Sequence, residues 1–273
     1  VYDLAGNELS FFEGAGLNNV DLVNLPDGRV LVAASDRSDL ATAHILLATL
    51  DTTTGTLTQI AREPVGAGEG YGICIGDATS GAGLLVFSAP KNGIIYRTEL
   101  SGLDAPSGLM GSKTTVLTTV PTQPEGCVVD LRTNTLYIGE ENAGIWAIDT
   151  ATGEKQLVAN IDNAMLVADV EGLAIAPEGA DGGYLVASSQ GDNAYAVYTL
   201  PGMERLGRFR IADGRFGAAE ETDGIALDPR SFGPEFPSGL FVAQDGVNGT
   251  EAQNFKLVRW DETLKALKMP VSQ

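Results

Sequence analysis

The chain has little histidine, little cysteine and few basic residues. There is one histidine, His44, and there are two cysteines among 273 residues. Two cysteines cannot build a disulfide scaffold, and they leave the redox compartment open. Seventeen Lys and Arg face 36 Asp and Glu, for a formal charge of −19. Such a polyanion forgoes the counterion release that drives nucleic-acid binding, which excludes a general nucleic-acid partner. No apolar run reaches the roughly 18 residues of a membrane-spanning helix, and the opening VYDLAGNELS lacks the core of a signal peptide. A chain opening on Val1 reads as processed or excised. The hydrophobic fraction of 44% suffices for a core, so disorder is excluded.

What is abundant points to strands. The chain holds 34 glycines, 12 prolines and many short β-branched runs, a composition of strands and turns rather than helices. These runs repeat. NNVDLV from Asn18, YGICI from Tyr71, EGCVV from Glu125, EGLAI from Glu171 and DGIAL from Asp223 stand 53, 54, 46 and 52 residues apart. A period of about 51 suits propeller blades of four short strands. Second strands follow at RVLVAAS, GLLVFSA, NTLYIGE, GYLVASS and GLFVAQD. Third strands follow at HILLATLD, GIIYRTEL, GIWAID, AYAVYTL and NFKLVRW, and fourth strands at LTQIA, VLTTV, KQLVA and LGRFRI. The expected fold is an all-β, six-bladed propeller of four-stranded antiparallel blades, a single domain over residues 1–273. VYDLAG and ELSFFE read as the outer half of a blade whose inner half would lie before Val1, so half a blade is expected to be missing at the N-terminus.

One position per copy recurs at the entry of the innermost strand: Asn18, Tyr71, Glu125, Glu171 and Asp223. Two residues earlier, on the same strand face, stand Gly16, Glu69, Gln123, Asp169 and Glu221. Taken singly, Glu-Gly and Asp-Gly pairs are ordinary solvated strand entries. Carboxylates repeated around one axis repel and raise one another's pKa, so a cation belongs among them. Oxygen ligands without histidine or thiolate indicate calcium rather than zinc or copper. Arg37 closes the second strand in AASDRS, and Lys91 stands in a similar place in FSAPKNG. Both are either solvated loop cations or an oxyanion site.

Histidine- and cysteine-based hydrolytic chemistries are disfavoured. His44, in the strand run AHILLATL, lacks an Arg-His-Gly context and reads as structural rather than as a triad base. The residues after Cys127, VVDLRT, lack the glycines of a cysteine-phosphatase phosphate loop. Cys74 and Cys127 occupy neighbouring positions in consecutive repeats, one step out of phase, which leaves both a disulfide and buried thiols open.

The segments LNNVD (17–21), AASDRS (33–38), PEGCVVD with NTLYIGEENAGIWAID (124–149), ADVEGLAI with GGYLVASSQGDNAYAVY (168–198), and ETDGIAL, GPEFPSGLFVAQDG and QNFKLVRW (within 221–260) together resemble the β-propeller phytases, or alkaline phytases. The resemblance runs through nearly the whole chain. It implies a secreted or periplasmic, monomeric hydrolase that binds several calcium ions and releases phosphate from calcium phytate, with no membrane or nucleic-acid partner. By motif it implies that Tyr71, Glu125, Asp169, Glu171 and Asp223 surround the metals and, with Arg37 and Lys91, form the catalytic set, and that Glu141 lies close by as a further metal residue. Arg37, Lys91 and Tyr71 would hold substrate. Val20, through its carbonyl, with Asp245 and Asn248 would belong to structural calcium sites. Three positions depart from the family pattern. Its Asp-Asp-Pro-Ala segment would fall before Val1, an acidic residue usual after the QDG turn is Val247 here, and GRFGAAEE lacks an aspartate. A calcium-dependent propeller lactonase or esterase, and a weakly catalytic propeller that binds phosphate or calcium, are the competing readings.

Overall fold

The structure, a computed structural model, describes residues 1–14, 16–25, 27–76, 83–103 and 109–269. The chain divides into two compact units, Val1–Pro124 and Glu125–Gln273.

The first unit holds two antiparallel sheets whose strands pair in chain order. One comprises β1 (Leu17–Asn24), β2 (Val30–Asp36), β3 (Thr42–Leu50) and β4 (Leu57–Ala67). The other comprises β5 (Gly72–Ile75), β6 (Leu84–Ala89), β7 (Ile94–Ser101) and β8 (Gly111–Thr119). The run VLVAASD makes β2 a strand buried along its length, whereas β1 alternates between half-buried and exposed residues. A continuous apolar run suits a strand covered on both faces, and alternation suits one covered face. Leu31, Ile45 and Leu47 of the first sheet pack with Ile73, Leu84 and Val86 of the second. Each such burial contributes about 1.5–3 kcal/mol relative to exposure. Asp21 of β1 accepts a hydrogen bond from the Ile75 N–H of β5 at 2.8 Å, so a carboxylate joins the inner strands of the two sheets. Its burial raises the Asp21 pKa.

The second unit holds three sheets. The first contains β9 (Pro124–Asp130), β10 (Thr135–Glu140), β11 (Gly144–Asp149) and β12 (Lys155–Asn160). The second contains β13 (Val170–Glu178), β14 (Gly182–Ser189), β15 (Ala194–Leu200) and β16 (Arg205–Phe209). The third contains β17 (Ile225–Asp228), β18 (Leu240–Asp245) and β19 (Asn254–Arg259). Between the second and third, Tyr195, Phe209 and Phe241 form an aromatic cluster with ring centroids 5.0–5.4 Å apart, a geometry that adds to plain area burial.

Hairpin tips follow from local chemistry. Asp51 and Asp149 open DTTTG and DTATG, and each Oδ1 accepts backbone N–H groups two and three residues on. Gly55 and Gly153 then take the left-handed conformation, each at φ +74°, which glycine, lacking a Cβ, adopts without strain.

Two expectations are corrected. Among the described residues there are five blades, not six, and the fifth has three strands. The segments VYDLAG and ELSFFE form one isolated antiparallel bridge, Tyr2 to Glu8, instead of two blade strands. Tyr2, Leu4, Leu9 and Phe11 are exposed there, so this hairpin gains little of the apolar burial that makes a strand pair persist. Where the fifth copy has no fourth strand, the chain turns into a helix, α1 (Trp260–Ala266). Trp260 and Leu264, four residues apart on one helix face, are buried against Tyr184 and Phe241.

Neither Cys74 on β5 nor Cys127 on β9 is a free thiol, so the buried-thiol alternative does not hold. No helix among the described residues is long and apolar enough to cross a membrane.

Candidate functional site

In the first unit, Arg37 and Lys91 meet at one carboxylate. Glu69 Oε1 pairs with Arg37 Nη2 and lies 3.4 Å from Lys91 Nζ. Both cations stand over the Tyr71 ring, Lys91 Nζ at 4.4 Å and the Arg37 guanidinium carbon at 5.4 Å from its centroid. The loop carrying Arg37 is ordered by Asp36, which accepts from the Ser38 N–H at 2.8 Å and from Arg62 Nε at 2.5 Å. Arg37 also donates its N–H to the Gly16 carbonyl at 2.9 Å and Nη1 to Asn18 Oδ1 at 3.2 Å. Two cations against one carboxylate leave an excess of one positive charge over an aromatic face, a chemistry suited to phosphate oxygens.

In the second unit, Glu125 at the start of β9, Glu141 just after β10 and Glu171 at the start of β13 each offer a carboxylate oxygen within 4.8 Å of the others. They are only 3%, 8% and 4% exposed. Glycine makes this approach possible. A Cβ on Gly126 would collide with the Glu171 carbonyl oxygen, and one on Gly172 would come within 2.6 Å of the Asp223 carbonyl oxygen. The Gly172 N–H donates to that same Asp223 oxygen. The glycine after each glutamate therefore serves close packing of inner strands, beyond strand entry. A bulge between Val170 and Leu173 re-aims Glu171 at the beginning of β13.

The electrostatics are those of crowded acids. The pKa of Glu171 stands far above the carboxylate range, first because of burial, then because of its hydrogen bond with Glu125 and the charges of Glu125, Glu141 and Asp223. Burial and the Glu125 charge also raise Asp223. Asp223 is held by Gln190, whose Nε2 donates to Oδ1 at 2.6 Å, and by Gln244, whose Oε1 accepts the Asp223 N–H at 2.8 Å. Asp169 is half-buried two residues before Glu171, and its carbonyl accepts from the Gln190 N–H at 3.0 Å.

Glu171 Oε2 is buried with no hydrogen-bond partner. An all-oxygen, multiply anionic donor set with an orphaned buried oxygen fits a hard divalent cation such as calcium. Glu125, Glu141 and Glu171 would hold it, with Asp223 adding charge nearby.

The residues expected at structural calcium sites stand elsewhere. Val20 lies opposite Ala34 in the β1–β2 ladder with an exposed side chain. Asp245, at the end of β18, is paired with Lys256 Nζ at 3.0 Å. Asn248 donates Nδ2 to the Ala252 carbonyl at 2.8 Å.

Sequence reasoning placed Glu69 on the strand entry without a role and passed over Gln190, Gln244 and Lys256. A signal for Gln190 exists: the residues just past the second strands are Arg37, Lys91, Glu141 and Gln190 in four successive copies, polar each time.

Residues 1–271 match the protein family described as Phytase. The chain is 34% identical over 289 aligned positions to the 3-phytase of Bacillus subtilis (strain 168), covering 99% of this chain and 75% of that protein. A crystal structure of a protein of unknown function from Bacteroides thetaiotaomicron is similar with a TM-score of 0.52 at 14% identity, a likeness of fold alone. It covers 88% of this chain, which spans 55% of that one. With the acidic cluster, the cationic pair and these matches together, the chain belongs to the phytase family and is a phosphatase of the phytase type.

Proposed function

We propose that this enzyme removes phosphate from phytate, myo-inositol hexakisphosphate, taken as its calcium complex. The observation that carries the reading is the buried convergence of Glu125, Glu141 and Glu171, an arrangement whose mutual repulsion a divalent cation relieves. Calcium held there would supply positive charge to offset the carboxylates, polarise a phosphoester and activate water for attack.

The chain's own residues have distinct tasks. Arg37 and Lys91 bind phosphate oxygens, and Glu69, which pairs with both, holds the two cationic heads side by side. The Tyr71 face beneath them keeps both cationic heads oriented. The Glu171–Glu125 hydrogen bond needs one proton on the pair, a proton that a cation held by these carboxylates would displace. Gln190 and Gln244 orient Asp223 from opposite ends. Direct attack by water needs no phosphoenzyme, in keeping with a chain whose single histidine lies on β3 with Nδ1 against the Thr42 carbonyl. Action outside the cytoplasm belongs to the same reading, and the absence of a free thiol supports it.

The test is phosphate release from phytate with calcium in excess and again with a chelator. Release with calcium and its loss on chelation are expected. Equal release in both would sink the calcium-dependent reading, and hydrolysis of a lactone with no phosphate release would sink the phytate reading.

A further inference from the structure

The QDG turn at the end of β18 carries Asp245 and Asn248, which the family resemblance assigns to calcium, yet the donor set there does not fit that ion. Asp245 is 1% exposed and both of its oxygens are engaged. Oδ1 accepts the N–H groups of Glu220 at 3.1 Å and Val247 at 3.4 Å, while Oδ2 faces Lys256 Nζ at 3.0 Å. Lys256 Nζ also donates to the Phe216 carbonyl at 2.8 Å. The ammonium thus sits between a carboxylate and a backbone carbonyl, two oxygens of the kind that would ligate a metal. Asn248 has turned its carboxamide to the Ala252 carbonyl, within its own loop.

Charge arithmetic agrees. Asp245 and Lys256 sum to zero, so a divalent ion added beside them would leave two positive charges and call for further carboxylates. The adjacent position offers Val247 instead of an acid. Asp213 and Glu220 line the same cleft, but both are exposed to solvent. We infer that Lys256 is the resident cation of this turn, a tethered substitute for a metal, and that Asp245 and Asn248 bind no calcium.

The experiment counts bound calcium by equilibrium dialysis on the whole chain and on the variants Asp245→Asn and Asn248→Ala. The stoichiometry is expected to stay at the parent value in both. Loss of one bound ion in either would overturn the inference, and Asn248→Ala, at an exposed loop residue, keeps the test available should Asp245→Asn fail to fold. A second arm melts Lys256→Met in chelator. Removing the ammonium strands a buried carboxylate, so the midpoint should fall by several degrees. An unchanged midpoint would show that the ammonium holds nothing together and would also overturn the inference. Neither arm reads phosphatase activity, so failure of the calcium-phytate reading leaves the result interpretable.

Discussion

The carbonyl oxygen of Glu171 fills the space into which a Cβ on Gly126 would project. The inner strands β9 and β13 touch there without side chains between them, and the same contact brings the Glu125 and Glu171 carboxylates together. Gly126→Ala should cost about 1–3 kcal/mol through overpacking and should weaken calcium binding as the strands part. Gly224→Ala is the control. Gly224 holds the equivalent place in the fifth copy, but a methyl group there would meet nothing within 4 Å. A melt and a calcium titration of both variants decide the matter, and equal effects would refute the close-packing role.

Glu171→Gln should have opposite effects with and without calcium. In chelator, the raised pKa of Glu171 means that the stability contributed by its protonated form is fully present below the ordinary value of 4.5 and is lost as pH rises through the folded-state value. Parent stability in chelator should therefore decline as pH increases above about 4.5, and the substitution should flatten that decline and raise the midpoint. With calcium, the same variant should lose most of the ion's stabilisation. Thermal melts across pH, with and without calcium, read both signs.

Arg37→Ala and Lys91→Ala should impair substrate use far more than calcium binding. Each removes a charge-assisted contact of about 1.5–3 kcal/mol, so kcat/KM should fall about 10–150-fold. Calcium stoichiometry should not change. Steady-state kinetics on calcium phytate, paired with calcium titration, separate the two effects.

Asp162 offers a stability test away from the site. Its Oδ1 accepts the N–H groups of Ala164, Met165 and Leu166, and Oδ2 pairs with Arg205 at 2.6 Å. These backbone hydrogen bonds, above all from Met165, lower its pKa to about 2. A depressed carboxylate stabilises the fold above its unfolded value of 3.8 and loses that contribution as pH falls through about 2. Asp162→Asn should lower the midpoint at neutral pH, and the gap from the parent should close in strongly acidic buffer. A gap that persists unchanged at low pH would count against this origin.

Most of the blade plan was readable from the residues. The first, second and third strands of all five copies fall on β1 through β19 within a residue or a few, because period-two burial and turn chemistry act over short stretches of chain. The four outer strands named from LTQIA, VLTTV, KQLVA and LGRFRI also formed. The sixth blade did not: among the described residues its segment forms a single bridge, Tyr2 to Glu8. The helix after β19 escaped notice because a strand-based repeat carries no term for Trp260 and Leu264 sharing one helix face.

The site divides along the same line. Residue order alone was enough to mark Glu125, Glu171 and Asp223 as equivalent entries, and to single out Arg37 and Lys91 as scarce cations in an acidic chain. Folding settled which charge meets which. Glu69 became the shared partner of Arg37 and Lys91, and Lys256 became that of Asp245. The reason is physical: a strand period reports which face a side chain takes, whereas an ion pair depends on a few ångströms between segments many residues apart, a distance that only the packed backbone sets.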